Sequence, residues 1–176
     1  MKYIDIENSR FELVKGDITQ QDTEAIVNAA NKRLAPGGGV AGAIHRSAGP
    51  ELYEECKKLG GCGTGEAKIT KGYNLKADYV IHTVGPVFSG TEKDELDLRS
   101  SYKNSLRLAS AEKIRSVSFP ALSTGAFGYP TKEAAYIAME EIRKYLESNE
   151  LPSLVRMVLY SSEDYDIHKE VFEQLF

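Results

Sequence analysis

Ser116-Val117-Ser118-Phe119-Pro120-Ala121-Leu122-Ser123-Thr124-Gly125-Ala126-Phe127-Gly128-Tyr129-Pro130-Thr131 carries no charged residue, in a chain that is 27% Asp, Glu, Lys and Arg. Ser116 to Leu122 reads as a strand from its β-branched, aromatic and apolar content. Pro130 and Thr131 lead into a helical pattern in which Ala135, Met139, Ile142 and Leu146 recur near the 3.6-residue period. Between strand and helix, Ser123 to Tyr129 gathers hydroxyls, two glycines and a run of backbone N–H groups. In open α/β sheets such loops lie at the carboxyl ends of strands, where ligands bind, and their N–H groups hold phosphate without side-chain charge. Gly125 and Gly128 allow backbone to approach a ligand closely.

The same alternation holds on either side. Phe11 to Val14, Ala25 to Asn28, Lys68 to Lys71, Tyr79 to Thr83 and Leu154 to Tyr160 read as strands, and Tyr3 to Ile6 pairs with the first through Glu7-Asn8-Ser9. Leu98, Tyr102, Leu106 and Ala109 mark a second helix. A last one follows Ser161, with Asp164 at capping-box spacing and Tyr165, His168, Phe172 and Leu175 on one face. Strands alternating with helices form βαβ units, so the expected fold is α/β, three layers, with a largely parallel sheet covered on both faces. The 176 residues contain no internal repeat and no linker rich in Pro, Gly or Ser, and residues 1–176 are read as one domain.

Charge narrows the function. With 22 basic and 26 acidic residues, net −4, and no run of Lys or Arg, the chain lacks an electrostatic footprint for nucleic acid or a membrane surface. A phosphate-bearing ligand must be held mostly without cationic side chains. No stretch approaches the ~18 continuous apolar residues of a membrane span. The start, Met1-Lys2-Tyr3-Ile4-Asp5, lacks a signal peptide's apolar region. Two cysteines, Cys56 and Cys62, are too few for a disulfide framework, so reduced thiols and a cytoplasmic location are expected.

Leu34 to Ile44 and Tyr79 to Thr91 are also free of charge. The first contains Pro36-Gly37-Gly38-Gly39-Val40-Ala41-Gly42 and runs into a helix of small residues. Gly37, Gly39 and Gly42 match G-x-G-x-x-G, but the preceding strand ends about eight residues too early for a Rossmann turn. That weakens a reading as an NAD-dependent dehydrogenase. Three glycines entering a helix instead suit backbone wrapped around a sugar-phosphate, with Asn31 able to donate to and accept from ribose hydroxyls. No Walker A loop is present.

These stretches resemble a macrodomain of the MacroD-like type. The resemblance rests on Gly16-Asp17-Ile18-Thr19, Ile26 to Asn31, Gly37 to Val40 with Gly42 to His45, His82 to Pro86, Phe119 to Gly125, and Gly128-Tyr129-Pro130. It spans essentially the whole chain and implies an α/β/α sandwich with a mixed, largely parallel sheet and ADP-ribose as ligand, without a cofactor. By resemblance, Asp17 accepts from adenine N6 with the Ile18 backbone beside it, and Tyr160 stacks near the base. Ser123, Thr124, Gly125, Ala126 and Phe127 cradle the diphosphate. Asn31, Gly38, Gly39, Val40 and Phe127 surround the distal ribose.

Members of the family also cleave esters at the distal ribose, releasing ADP-ribose from acidic side chains of mono-ADP-ribosylated proteins or deacetylating O-acetyl-ADP-ribose. Hydrolases of this type commonly carry Asp where this chain has Ala41. A carboxylate there orients or deprotonates water, and general-base help is worth ~10²- to 10⁴-fold. Ala41 cannot supply it. Three accounts stand open: a variant made to trap ligand by deleting the base; a natural, slower enzyme in which the substrate's phosphate positions water while Asn31 holds the ribose; and a non-catalytic ADP-ribose reader.

The remaining residues have plainer readings. His45 falls one turn after Ala41 and reads as a hydrogen-bonded structural residue, as does His82 in its strand. No His, Cys or Asp grouping has metal-ligand spacing, and no metal is expected. Cys62 lies in Leu59 to Gly65, read as a flexible connection shaping the cleft rim, with no base to activate the thiol. Glu92-Lys93-Asp94-Glu95 with Asp97 reads as a solvated helix start.

Overall fold

The computed structural model describes residues Met1–Phe176. The chain runs β1 (Lys2–Ile6), β2 (Ser9–Lys15), a 3₁₀ turn (Ile18–Gln20), β3 (Ala25–Ala29), α1 (Gly39–Ala48), α2 (Pro50–Lys57), β4 (Ala67–Lys71), β5 (Tyr79–Thr83), α3 (Glu92–Ala111), β6 (Ser116–Phe119), α4 (Thr131–Ser148), β7 (Leu154–Leu159) and α5 (Ser162–Leu175). The seven strands form one sheet in the order β1-β2-β7-β6-β3-β5-β4. The inner strands pair in parallel. The edge strands β1 and β4 are antiparallel to their neighbours, which makes the sheet mixed. A β1–β2 hairpin forms as expected, with Ile6 opposite Ser9 across Glu7-Asn8.

Alternation along the buried strands feeds two cores. Val27, Ile81, Val117, Val155 and Met157 face a core shared with α3, α4 and α5. Ile26, Val80 and Val158 face the opposite core, completed by Ile44 and Ala48 of α1 and Leu52 and Cys56 of α2. Period-two side-chain direction with apolar residues on both faces is what a helix-covered parallel strand requires. The result is the expected three-layer α/β/α sandwich.

Some boundaries differ from expectation. Strand β6 stops at Phe119 instead of continuing to Leu122, because Pro120 has no N–H to extend the ladder. The Leu122 N–H is instead taken by the hydroxyl of fully buried Tyr102 at 3.1 Å. Helix α2 went unrecognised in the sequence, although Gly49-Pro50 supplies a proline at N1 and Leu52 and Cys56 lie one turn apart. Ser161 caps α5 as its spacing predicts, its Oγ accepting from Asp164 N at 3.1 Å.

His82 ties β3, β4 and β5 together. Asn28 Nδ2 lies 3.0 Å from His82 Nδ1, and Thr70 Oγ1 lies 2.9 Å from Nε2. With Asn28 donating, the ring proton sits on Nε2 and points at Thr70, whose hydroxyl donates to Lys71 O at 3.1 Å. Burial, reinforced by nearby His45, holds this imidazole neutral, its pKa depressed to about 3. An unfolded histidine titrates near ~6.5, so below that pH protons bind the unfolded chain and not the native ring. The stabilisation is complete above ~6.5 and lost as pH falls toward 3, amounting to about 2 kcal/mol by pH 5. Urea unfolding at pH 7 and pH 5 should show this loss, and His82→Gln should reduce the difference between the two pH values.

Candidate functional site

The inner parallel strands send their carboxyl ends to one edge of the sandwich. Strands β2 and β7 end as neighbours, with Lys15 opposite Leu159 and Gly16 N donating to Leu159 O at 2.9 Å. Asp17 and Tyr160 follow directly, so the two residues assigned to a purine leave adjacent strand ends. Asp17 caps the Ile18–Gln20 turn: its Oδ1 accepts from Thr19 N (2.9 Å) and Thr19 Oγ1 (2.7 Å). Its Oδ2 makes no bond within the protein and remains available as an acceptor. Ile18 is buried beneath this turn, and Tyr160 is 81% exposed.

The loop after β6 is shaped by its own hydrogen bonds. Ser123 adopts φ 66°, Gly128 adopts φ 75°, Tyr129 N returns to Ser123 O at 2.9 Å, and Gly128 N reaches Gly125 O at 3.0 Å. Thr124 turns its hydroxyl inward onto Ala121 O at 2.9 Å. The N–H groups of Thr124, Gly125, Ala126 and Phe127 then have no acceptor within the protein. A Cβ added at Gly125 or Gly128 would meet nothing within 4 Å. Four consecutive free amides beside open space are a ready anion cradle.

A second set of free amides belongs to the first turn of α1. Gly39, Val40 and Ala41 precede the first intrahelical donors, and basic Arg46 lies in the last turn of α1. Gly42 packs against Gly37 O so tightly that a Cβ there would overlap it, whereas Gly38 and Gly39 face open space. Ala41 is buried on the inner side of this turn. The sandwich edge thus carries amide donors on two loops whose strands, β6 and β3, are neighbours.

Asn31 behaves differently from expectation. Its Oδ1 accepts from Arg33 N (3.2 Å) and Ala35 N (3.0 Å), and its Nδ2 donates to Ala35 O (2.8 Å). The side chain builds the turn before the glycines, and one amide hydrogen is left to offer. Both acceptor positions of Oδ1 are used inside this turn, so the side chain keeps donor capacity on Nδ2 and no free acceptor. Asn31 and Phe127 line one cavity of about 340 Å³ with Lys32, Thr64, Gly85 and Val87. Lys32 is the one Lys or Arg lining it.

Other expectations need correction. His45 is buried, but neither ring nitrogen has a hydrogen-bond partner, so it is not the hydrogen-bonded residue its position suggested. Its nearest aromatic neighbour is Tyr53, edge-on at 6.2 Å, and burial lowers its pKa. Cys62 is buried rather than a loose loop thiol, while Thr64 of the same Leu59 to Gly65 segment lines the cavity. Burial raises the pKa of both thiols, Cys56 to about 11, which suppresses nucleophilicity. Asp94, read as solvated, is only 5% exposed. The loop after β5, which brings Gly85 and Val87 to the cavity, carried no site assignment in the sequence; its freedom from charge was the available signal.

With this geometry in place, the chain can be set beside known proteins. Residues 27–138 match the Macro domain family, and the chain belongs to that family. Several of its relatives are named as MacroD-type ADP-ribose glycohydrolases. A macro domain-containing protein of Methanosarcina mazei is 51% identical over 94% of this chain and 89% of its own length. Human ADP-ribose glycohydrolase MACROD2 is 48% identical over 93% of this chain, which spans 39% of that longer protein. Among solved structures, the Oceanobacillus iheyensis macrodomain with ADP superposes with a TM-score of 0.96 at 43% identity, over 99% of this chain and 95% of that one. The Trypanosoma brucei macrodomain in complex with ADP-ribose gives 0.87 at 42% identity, over 92% and 68%.

The free space at Gly125 sets a test of the cradle. Gly125→Val should leave stability within about 0.5 kcal/mol of wild type, since the side chain enters open space. Calorimetry with a pyrophosphate-bearing nucleotide should show binding in the wild type and none in the variant. Equal affinity would mean that the amides of Thr124 to Phe127 do not hold the anion.

Proposed function

We propose that this chain binds ADP-ribose across the strand ends and acts as a hydrolase on ADP-ribosyl esters, releasing mono-ADP-ribose from acidic side chains and deacetylating O-acetyl-ADP-ribose. The observation that carries this reading is the row of unclaimed amides from Thr124 to Phe127. It supplies a pyrophosphate site without cationic side chains in a chain similar to ADP-ribose glycohydrolases. Asp17 Oδ2 accepts from adenine N6 at one end, beside Tyr160. At the other end Asn31, Gly38, Gly39, Val40 and Phe127 enclose the distal ribose, with Asn31 donating its remaining amide hydrogen to a ribose hydroxyl.

Position 41 governs the chemistry. Ala41 lies in the first turn of α1, where free N–H groups and the helix dipole favour a carboxylate. An aspartate there would be charge-stabilised and poised to take a proton from attacking water. Ala41 provides no base, so wild-type turnover depends on a water ordered by the substrate's own phosphate.

Ala41→Asp should raise the rate of ADP-ribose release from a mono-ADP-ribosylated glutamate peptide by ~10²-fold or more, followed by chromatography. Ala41 itself favours one second reading, a binding module. Tight ADP-ribose binding with no release by either form would establish that reading and remove the hydrolase.

Asp17→Ala should weaken ADP-ribose binding by ~1.5 to 3 kcal/mol in calorimetry, the loss of a charge-assisted contact. The same substitution should leave affinity for the hypoxanthine analogue, which lacks the amino donor, nearly unchanged. An equal loss for both ligands would assign Asp17 only to capping the Ile18–Gln20 turn.

A further inference from the structure

We infer that Asp94 is a positioning residue for the distal-ribose end of the cleft, acting through the loop after β5 on Phe127; this rests on the ADP-ribose reading above. Asp94 is the third residue of α3, where a carboxylate ordinarily closes a capping box by accepting from the N-cap amide. It does accept from Thr91 N, at a long 3.3 Å. Its shorter bonds go to groups outside the helix: Ser89 N at 2.7 Å, Gly90 N at 2.8 Å and Ser89 Oγ at 2.9 Å to Oδ1. These bonds exceed what helix capping requires. They fold the segment Ser89–Thr91 around one carboxylate, and Gly90 takes φ 80° to allow it.

The residue before this knot meets the phosphate loop. Phe88 N donates to Phe127 O at 2.8 Å, and the Phe88 ring packs on Tyr129 with centroids 4.9 Å apart. Tyr129 N in turn closes the loop on Ser123 O. Asp94 therefore fixes the Ser89 and Gly90 backbone, that backbone fixes Phe88, and Phe88 fixes the carbonyl of Phe127. The cavity shared by Asn31 and Phe127 has Val87 and Asp94 on its wall, so the brace stands at that end and away from Asp17 and Tyr160. The four bonds to backbone and hydroxyl donors hold the Asp94 carboxyl below the usual carboxylate range, with Ser89 N the largest cause.

A brace confined to one end makes a prediction that capping does not. The brace reaches the Phe127 carbonyl and not the N–H groups of the cradle, so a ligand with a distal ribose should feel its loss more than one without. Asp94→Ala and Ser89→Ala should each be compared with wild type for ADP-ribose and ADP binding by calorimetry, alongside thermal unfolding. We expect ADP-ribose Kd to rise about tenfold in Asp94→Ala, the worth of one hydrogen bond, while ADP Kd moves less than about twofold. Ser89→Ala, which removes one donor and keeps the capping acceptor, should shift the same ratio in the same direction by a smaller factor. Equal losses for the two ligands, or a lowered melting temperature with both affinities intact, would overturn the inference and leave Asp94 a helix cap. If Asp94→Ala does not fold, an unchanged ADP-ribose to ADP ratio in Ser89→Ala overturns it alone. Failure of the wild type to bind ADP-ribose at all would instead refute the function on which the inference rests.

Discussion

The close passage of Gly85 beside Ser123 is the constraint from which the cleft follows. A Cβ on residue 85 would overlap Ser123 Oγ as that hydroxyl lies here, so glycine lets the exit of β5 pass beside the exit of β6 without turning the serine away. Ser123 is held there in a left-handed conformation, which costs a non-glycine residue about 1 kcal/mol or more. Its hydroxyl is buried without a partner. Both penalties are borne because the turn they create brings Tyr129 N back to Ser123 O and leaves the intervening amides unclaimed. Packing between two strand exits is thus converted into donors at the surface.

The sheet supplies what a loop alone cannot. Parallel neighbours place every carboxyl end on the same edge, so β2, β7, β6, β3 and β5 present their loops in spatial order although that order is scrambled along the chain. Asp17 and Phe127 lie more than a hundred residues apart in sequence and on one edge in space. Helices α1 and α3 begin at this edge too, each after a loop set by glycine or by a buried carboxylate. The antiparallel edge strands carry none of the candidate residues; they close the sheet.

Much of this was legible in the sequence because local chemistry is enough to specify it. β-branched runs, the 3.6-residue stripes of α3, α4 and α5, and the capping serine at residue 161 all act within a few residues of themselves. The uncharged loops were legible for the same reason, since backbone that must approach an anion or another strand leaves no room for long charged side chains. What escaped depended on distant partners. Asp94 looks solvated until Ser89 and Gly90 fold onto it. Asn31 looks free until the Arg33 and Ala35 amides occupy its oxygen. Cys62 looks loose until its N–H finds Lys32 O at 2.8 Å and the core closes over its sulfur. Strand β6 ended early on account of one proline, whose missing donor outweighed the two apolar residues after it.

A main-chain amide neither titrates in the biological range nor holds a shell of condensed counter-ions. An anion seated on Thr124 to Phe127 would therefore displace few salt ions and alter no protonation state as it arrives. Its hold should vary weakly with ionic strength and acidity, unlike that of a lysine-lined pocket. A net-negative protein can in this way keep a polyanion at high salt, choosing it by the geometry of its oxygens and not by its charge.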